Sequence, residues 1–192
     1  MSKFNKSKHI DKHLFYENDY YEDTDESYKI IILSKFEDKL VYIKQIVSIF
    51  LKCFPLMRPY TKNSIFYNPK QDIESTFLDS NNKIYILLEE NSNQLISLFM
   101  LTKIDNKYLI SNACTKPLEN RKGFMKLLMK SFLDKFNYTI ELEVFEENPA
   151  RFLYESLGFQ FVKYIDTKSN EMDFWEDGLY SKKCLYKYKN IN

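Results

Sequence analysis

Two stretches of this chain carry side chains whose types and spacing could do chemistry. In "CTKPLENRKGFMKLL", residues 114–128, a strand-like run meets Pro117 and gives way to a helical pattern opening at Gly123. Arg121, Lys122 and Lys126 cluster at that opening, with Lys116 and Lys130 nearby and only Glu119 opposing them. A helix start presents unpaired N–H groups and a partial positive charge, which makes it a natural phosphate site. Gly123, having no Cβ, would let phosphate oxygens approach the backbone. The stretch is not a Walker loop, because the Gly-Lys-Ser/Thr ending is missing. In "NPARFLYESLGF", residues 148–159, a short helix is marked at both ends. Asn148 suits the N-cap, Pro149 the first helical position and Gly158 the left-handed residue past the end, with Phe159 packing back. Tyr154 falls near the middle, beside the face made by Ala150, Leu153 and Leu157. Just upstream, "TIELEV" (139–144) alternates strictly, which predicts a strand with Ile140, Leu142 and Val144 inward and Glu141 and Glu143 on the other face.

The bulk composition narrows the classes. A chain of 192 residues fits one domain, and a net charge of +1 gives no general field for nucleic acid or anionic membrane. No apolar run approaches the length of a membrane helix, and the N-terminus is polar and dotted with lysine. The expectation is a soluble cytoplasmic protein with no nucleic-acid or membrane partner. Cys53, Cys114 and Cys184 show no CxxC pairing, so neither a zinc site nor a disulfide framework is expected. The two histidines, His9 and His13, both lie near the N-terminus, which disfavours a His-based triad and any metal site. Glycine occurs only three times, so each one points to a place where the backbone needs it.

Those residues need elements to hold them. Residues 1–27 lack periodicity, and "ENDYYEDTDES" (17–27) carries six acids and no base. This predicts a solvated, disordered acidic tail, with the sharper alternative of an acidic strip lying over a basic patch. A domain over 28–192 follows. Strands are predicted at 28–36, 83–90, 95–104, 107–116, 139–144, 159–165 and 179–188. Helices are predicted at 37–54, 71–78, 123–136 and 148–158. The first helix is expected to bury Leu40, Ile43, Val47, Phe50 and Phe54. Strand meanders interrupted by helices imply an α/β (α+β) fold, a mixed and mostly antiparallel sheet with helices on both faces.

Together the two motifs resemble the GCN5-related N-acetyltransferase (GNAT) superfamily. There a strand–loop–helix of the form Q/R-x-x-G-x-G/A wraps the pyrophosphate of acetyl-CoA. A strand and a short N-x-A-x-x-L-Y-x-x-L-G-F-like helix follow further along. Here the first motif is Asn120-Arg121-Lys122-Gly123-Phe124-Met125, with Asn for Gln/Arg and Met for the last Gly/Ala. The second runs from Asn148 to Phe159 and matches closely. The resemblance implies a central sheet with a splayed strand pair, and acetyl-CoA as cofactor. It places the pantetheine arm against backbone of Ala113, Cys114 and Thr115, and the pyrophosphate at Asn120–Lys126. Asn148 would be both a cap and a cofactor contact, and backbone donors near the carbonyl would form an oxyanion hole.

In such a site the leaving thiolate (conjugate acid near ~8.5) would take a proton from Tyr154, whose ordinary pKa is near ~10. Glu141 or Glu143 would deprotonate the amine, directly or through water. The loops 55–70 and 166–178 would wall the acceptor, with Phe174 and Trp175 among acids suiting a cationic amine. The leading reading is an acetyl-CoA-dependent N-acetyltransferase acting by direct transfer to a primary amine, as a monomer or homodimer. The alternative is a non-catalytic acyl-CoA-binding or interaction module on the same fold. The acceptor stays open between a protein lysine, an N-terminal amine, a polyamine and a small antibiotic-like amine.

Overall fold

The two periodicities resolve into separate elements in the computed structural model, which describes residues 27–54, 69–165 and 182–189. Strands β1 (Tyr28–Leu33), β2 (Asn82–Glu89), β3 (Gln94–Ile104), β4 (Lys107–Thr115), β5 (Ile140–Phe145), β6 (Gln160–Ile165) and β7 (Lys183–Tyr188) form one sheet in the order β1-β2-β3-β4-β5-β7-β6. The pairs are antiparallel except β4 with β5. Helices α1 (Phe36–Cys53) and α2 (Pro69–Leu78) cover one face; α3 (Phe124–Leu133) and α4 (Ala150–Ser156) cover the other.

Because side chains alternate along a strand, each inner strand feeds both cores. On β2, Tyr85 and Leu87 pack toward α3, while Ile84, Ile86 and Leu88 pack toward α1. The α3 core centres on Tyr85 stacked on Phe99, with Phe132 set edge-on to both rings. Each such ring, fully buried, contributes roughly 1.5–3 kcal/mol.

Two expectations shift. On α1 the buried stripe is Ile43, Ile46, Val47, Ile49 and Phe50, while Leu40 is 45% exposed. Its neighbour Lys39 is fully buried instead, its ammonium donating to the Asp79 carbonyl at 2.5 Å just past the end of α2. The helix is therefore turned toward α2 at its N-terminal end. Helix α3 stops at Leu133 rather than 136, where Lys135 and Phe136 make tighter three-residue bonds back to Phe132 and Leu133.

One irregularity positions the site. Leu98 faces Cys114 and Met100 faces Ser111, so Asn112 and Ala113 of β4 together oppose the single residue Phe99. This is a β-bulge, and Asn112 has φ +54°. Pairing of β4 with β5 covers only Tyr108–Ile110 against Ile140–Leu142. From Ser111, the residue before the bulge, the two strands part, leaving backbone groups of Ser111–Thr115 without a β5 partner.

Candidate active site

The parted strands open a cleft of about 590 Å³. Ser111, Asn112 and Ala113 form one wall and Leu142–Phe145 the other. The last turn of α1 contributes Phe50, Cys53 and Phe54, while Asn148, Ala150 and Tyr154 close the opposite side. An extended chain with amide groups fits such a gap, because the strand edges on its walls present N–H and C=O groups with no neighbouring strand. Cys114 turns its side chain into the α1-side core, so a ligand would meet its backbone only. Its thiol is pushed well up by hydrogen bonding with Cys53 and by burial. The Thr115 hydroxyl is within hydrogen-bond distance of Ser97 Oγ, at 2.7 Å, and its carbonyl accepts from the Cys53 thiol at 3.0 Å.

The start of α3 lies where β4 ends. Gly123 caps it at φ +88°, and a Cβ built there would meet no heavy atom within 4 Å. The amides of Phe124, Met125 and Lys126 precede the first intrahelical bond, which runs from the Leu127 N–H to the Gly123 carbonyl. Met125 is partly buried and packs against the α3-side core. Lys122 pairs with Glu119 at 2.8 Å, whereas Arg121, Lys126 and Lys130 are exposed and unpaired among the described residues. Asn120 ends a 3-10 turn, Pro117–Glu119, and is exposed.

The motif helix has the ends its sequence specifies. Asn148 Oδ1 accepts from the Ala150 N–H at 2.9 Å, and Pro149 already holds helical dihedrals. At the other end the Phe159 N–H bonds to the Tyr154 carbonyl and the Gly158 N–H to that of Glu155. With Gly158 at φ +92° this is a Schellman motif, and the Phe159 ring packs on Tyr154 at 6.1 Å. Tyr154 is not beside the buried face but at its centre. It is 8% exposed, more buried than Ala150, Leu153 or Leu157, and it reaches the cleft from the core side. Burial, with a smaller effect of Cys114, pushes its hydroxyl up to about 12.

The two glutamates part company. Glu143 lies on the cleft wall, its carboxylate 2.9 Å from Lys183. Glu141 lies near the closed end of the β4–β5 pair and is not part of the cleft lining. It is bound by Lys107 at 2.5 Å and Lys187 at 3.4 Å, and the hydrogen bond from Lys107 holds its carboxyl below the usual range. This makes Glu141 a poor proton acceptor and a tie between β4, β5 and β7. A depressed folded-state pKa contributes stability that is complete above the unfolded pKa and is lost as pH falls through the folded one. Glu141→Gln is thus expected to lower Tm by a few degrees at neutral pH. The gap from wild type should hold down to about pH 5 and shrink below about pH 4. A gap independent of pH, followed by thermal denaturation from pH 3 to 7, would show that the ion pairs are not its source.

The α1 contribution of Phe50, Cys53 and Phe54 was not read from the sequence as site-forming, although Pro55 marks where that helix must stop. Asn112 was a missed signal as well, since an Asn inside a strand pattern tolerates the left-handed conformation that a bulge uses. Phe174 and Trp175, the loop 166–178 and most of the loop 55–70 lie outside the described residues, as does the tail up to residue 26. Among the described residues no cluster of metal-ligating side chains occurs, and no helix is long and apolar enough to cross a membrane.

Comparison with known proteins agrees with this geometry. No curated protein matches the chain by sequence. Among solved structures, the fold is similar to ribosomal-protein-S5-alanine acetyltransferase from Vibrio fischeri, at TM-score 0.62 and 13% identity over 90% of this chain and 97% of that one. It is similar to the ribosomal-protein-S18-alanine N-acetyltransferase from Escherichia coli, at 0.58 and 16% identity over 85% and 96%. Arabidopsis thaliana NAA60 in complex with a bisubstrate analogue aligns at 0.57 and 14% identity over 83% and 97%. These identities speak for the fold alone. The model of the Acetyltransferase (GNAT) family matches residues 43–159, more than half of the chain, and includes both the helix start at Gly123 and the capped helix of Tyr154. The chain belongs to the GNAT family of acetyltransferases.

Proposed function

We propose that this protein is an acetyl-CoA-dependent N-acetyltransferase that acts by direct transfer to a primary amine. The observation that carries the reading is the cleft between β4 and β5, with open amides at Gly123 beyond one end and Tyr154 in its side. The residues present fit the cofactor. The space a Cβ would fill at Gly123 is empty, unpaired cations stand beside it, and the free edge of β4 supplies backbone partners for an extended amide arm. Arg121, Gly123, Phe124, Met125 and Lys126 would hold the pyrophosphate, with Asn120 and Lys122 at the rim. Ala113, Cys114 and Thr115 would hold the arm through backbone, and Asn148 would flank it.

Bound there, acetyl-CoA supplies an activated acetyl thioester. Tyr154 keeps its proton across the neutral range, because its pKa is raised to about 12. Its hydroxyl would thus be the donor to a thiolate formed in the cleft that Tyr154 lines. Glu143, on the cleft wall, would take a proton from an incoming amine, directly or through water, in exchange for its pairing with Lys183; Glu141 is held by two lysines away from the cleft. Phe174 and Trp175 remain candidates for the acceptor wall on their sequence alone, and the cytoplasm remains the expected compartment.

Two measurements test the reading. Acetyl-CoA should raise Tm, since a ligand at about 100 times its Kd adds about 2.7 kcal/mol to the native state. No shift at millimolar ligand would count against any CoA site here. An amine panel covering lysine peptides, N-terminal peptides, polyamines and aminoglycosides, read by thiol release, should then find an acceptor. Saturable CoA binding with no turnover on any amine would instead favour a non-catalytic acyl-CoA-binding module.

A further inference from the structure

One thiol on the cleft wall has no part in acetyl transfer. Cys53, the last residue of α1, is partly exposed and lines the cleft beside Phe50 and Phe54. A second thiol stands against it. Cys114 of β4 is 5% exposed and belongs to the α1-side core, on which Cys53 packs. The two thiols hydrogen-bond to each other, and the Cys53 thiol also donates to the carbonyl of Thr115, the residue after Cys114, at 3.0 Å. The bulge in β4 makes this meeting possible. Ile110 points into the α3-side core, and strict alternation would send Cys114 the same way. The extra residue opposite Phe99 reverses the alternation, so Ala113 packs toward α3 and Cys114 toward α1. The third cysteine, Cys184, sits in the α3-side core on the opposite face of the sheet.

We propose that Cys53 and Cys114 form a redox-active dithiol, which a peroxide closes to a disulfide that fastens the end of α1 to β4 at the cleft wall. The pair is asymmetric. Cys53 opens onto the cleft, so a reagent meets it first, while Cys114 lies behind it in the core. Their hydrogen bond holds the Cys53 thiol below its usual range; the same bond, with burial, holds Cys114 above it. An exposed thiol of lowered pKa is the one that attacks. The Cys53 thiolate takes one oxygen of hydrogen peroxide, the O–O bond breaks, and hydroxide leaves. Cys53 then carries a sulfenic acid. The Cys114 sulfur attacks the Cys53 sulfur, the S–O bond breaks, and the departing hydroxide takes the Cys114 proton as water. Two thiols and one peroxide thus give one disulfide and two waters. The sulfurs must close from hydrogen-bond contact to about 2.05 Å, and Cys53 is placed to move because α1 ends there. The proposal stands apart from the cofactor reading, since it needs only the thiol pair and its access from the cleft.

The test uses the full chain. Reduced wild-type protein is treated with a small molar excess of hydrogen peroxide, unfolded in an alkylating agent, digested without reduction and mapped by mass spectrometry. A peptide linking Cys53 to Cys114 within the monomer is expected, with Cys184 alkylated as the internal control. The bond closes a loop of roughly 60 residues and so restricts the unfolded chain. Tm should therefore rise by several degrees, and both changes should reverse with dithiothreitol. Cys114→Ala removes the resolving thiol. In that variant dimedone should tag Cys53 as a sulfenic acid several-fold more than in wild type. If the variant fails to fold, the linkage map of the wild-type protein decides alone. Several results overturn the proposal: both cysteines alkylated after peroxide, Cys53 passing on to sulfinic acid in the wild-type protein, or linkage only to Cys184 or between two molecules. A linked protein that melts no higher than the reduced one overturns it as well, because the pair would then close only through a distorted fold.

Discussion

Tyr154→Phe is expected to lower the acetyl-transfer rate by roughly 10²-fold, at the low end of what a positioned proton donor contributes, while leaving acetyl-CoA affinity nearly unchanged. The substitution removes one hydroxyl and keeps the ring that packs on Phe159. The helix should still form, because Asn148 and the Schellman end at Gly158 are untouched. Tm should hold or rise slightly, since the hydroxyl has no hydrogen-bond partner among the described residues and sits in a largely buried place. The raised pKa of about 12 adds a second, sharper expectation. Moving the proton from this hydroxyl fully onto a free thiolate (conjugate acid near ~8.5) is uphill by roughly 5 kcal/mol. In the proposed reaction Tyr154 would therefore act by hydrogen-bonding to the developing thiolate while keeping most of its proton. The pH–rate profile should rise with amine deprotonation and show no descending limb below about pH 10 that belongs to Tyr154. A descending limb near pH 9 that vanishes in Tyr154→Phe would show a far more acidic tyrosine than the fold allows. An unchanged rate, measured where chemistry limits turnover, would leave Tyr154 a packing residue.

How legible this site was depends on the kind of physics each part uses. Local rules were enough for α4: Asn148, Pro149, Gly158 and Phe159 each satisfy a stated backbone need, and the observed hydrogen bonds are those the residues specify. The helix start at Gly123 was legible for the same reason, since a left-handed residue at a helix entry calls for glycine. The sheet and its faces followed from alternation. What failed to show was long-range. Nothing near Glu141 in sequence announces Lys107 or Lys187, which meet it only because β5 lies between β4 and β7. The periodicity of α4 placed Tyr154 at the margin, but its burial is set by the sheet face beneath and by Phe159 folding back. Leu40 misled because Lys39, aliphatic for most of its length, took the buried place beside α2 and satisfied its charge on a carbonyl. The contribution of α1 to the cleft required knowing that β4 and β5 part after Ile110, next to a bulge that a β4 residue count alone does not announce.

Gly123→Val should weaken acetyl-CoA binding by at least 10-fold, and Gly123→Asn shows which property of the glycine is responsible. Gly123 does two things. Its φ of +88° starts α3 from a left-handed conformation that a side chain with Cβ resists. It also leaves empty the space at the helix start from which a phosphate would approach the amides of residues 124–126. Valine disturbs both. The left-handed backbone costs an L-residue about 1–2 kcal/mol, and more for a β-branched one, so Tm should fall by several degrees. No clash with the protein adds to this, because nothing lies within 4 Å of the added Cβ. Asparagine tolerates the left-handed region through local hydrogen bonding. Gly123→Asn should thus keep Tm close to wild type while still filling the approach to the amides. If the empty space is what binds phosphate, the Asn variant loses acetyl-CoA affinity almost as far as Val, with its Tm intact. If only the turn matters, Asn restores both Tm and affinity. Dephospho-CoA and free pantetheine make the contrast local. Pantetheine has no pyrophosphate, so its weak affinity should be the same for wild type and both variants, whereas dephospho-CoA, which keeps the pyrophosphate, should lose as much as acetyl-CoA. A variant that loses pantetheine as well has damaged the β4–β5 cleft, and the assignment of the pyrophosphate to Gly123 would then have to be given up.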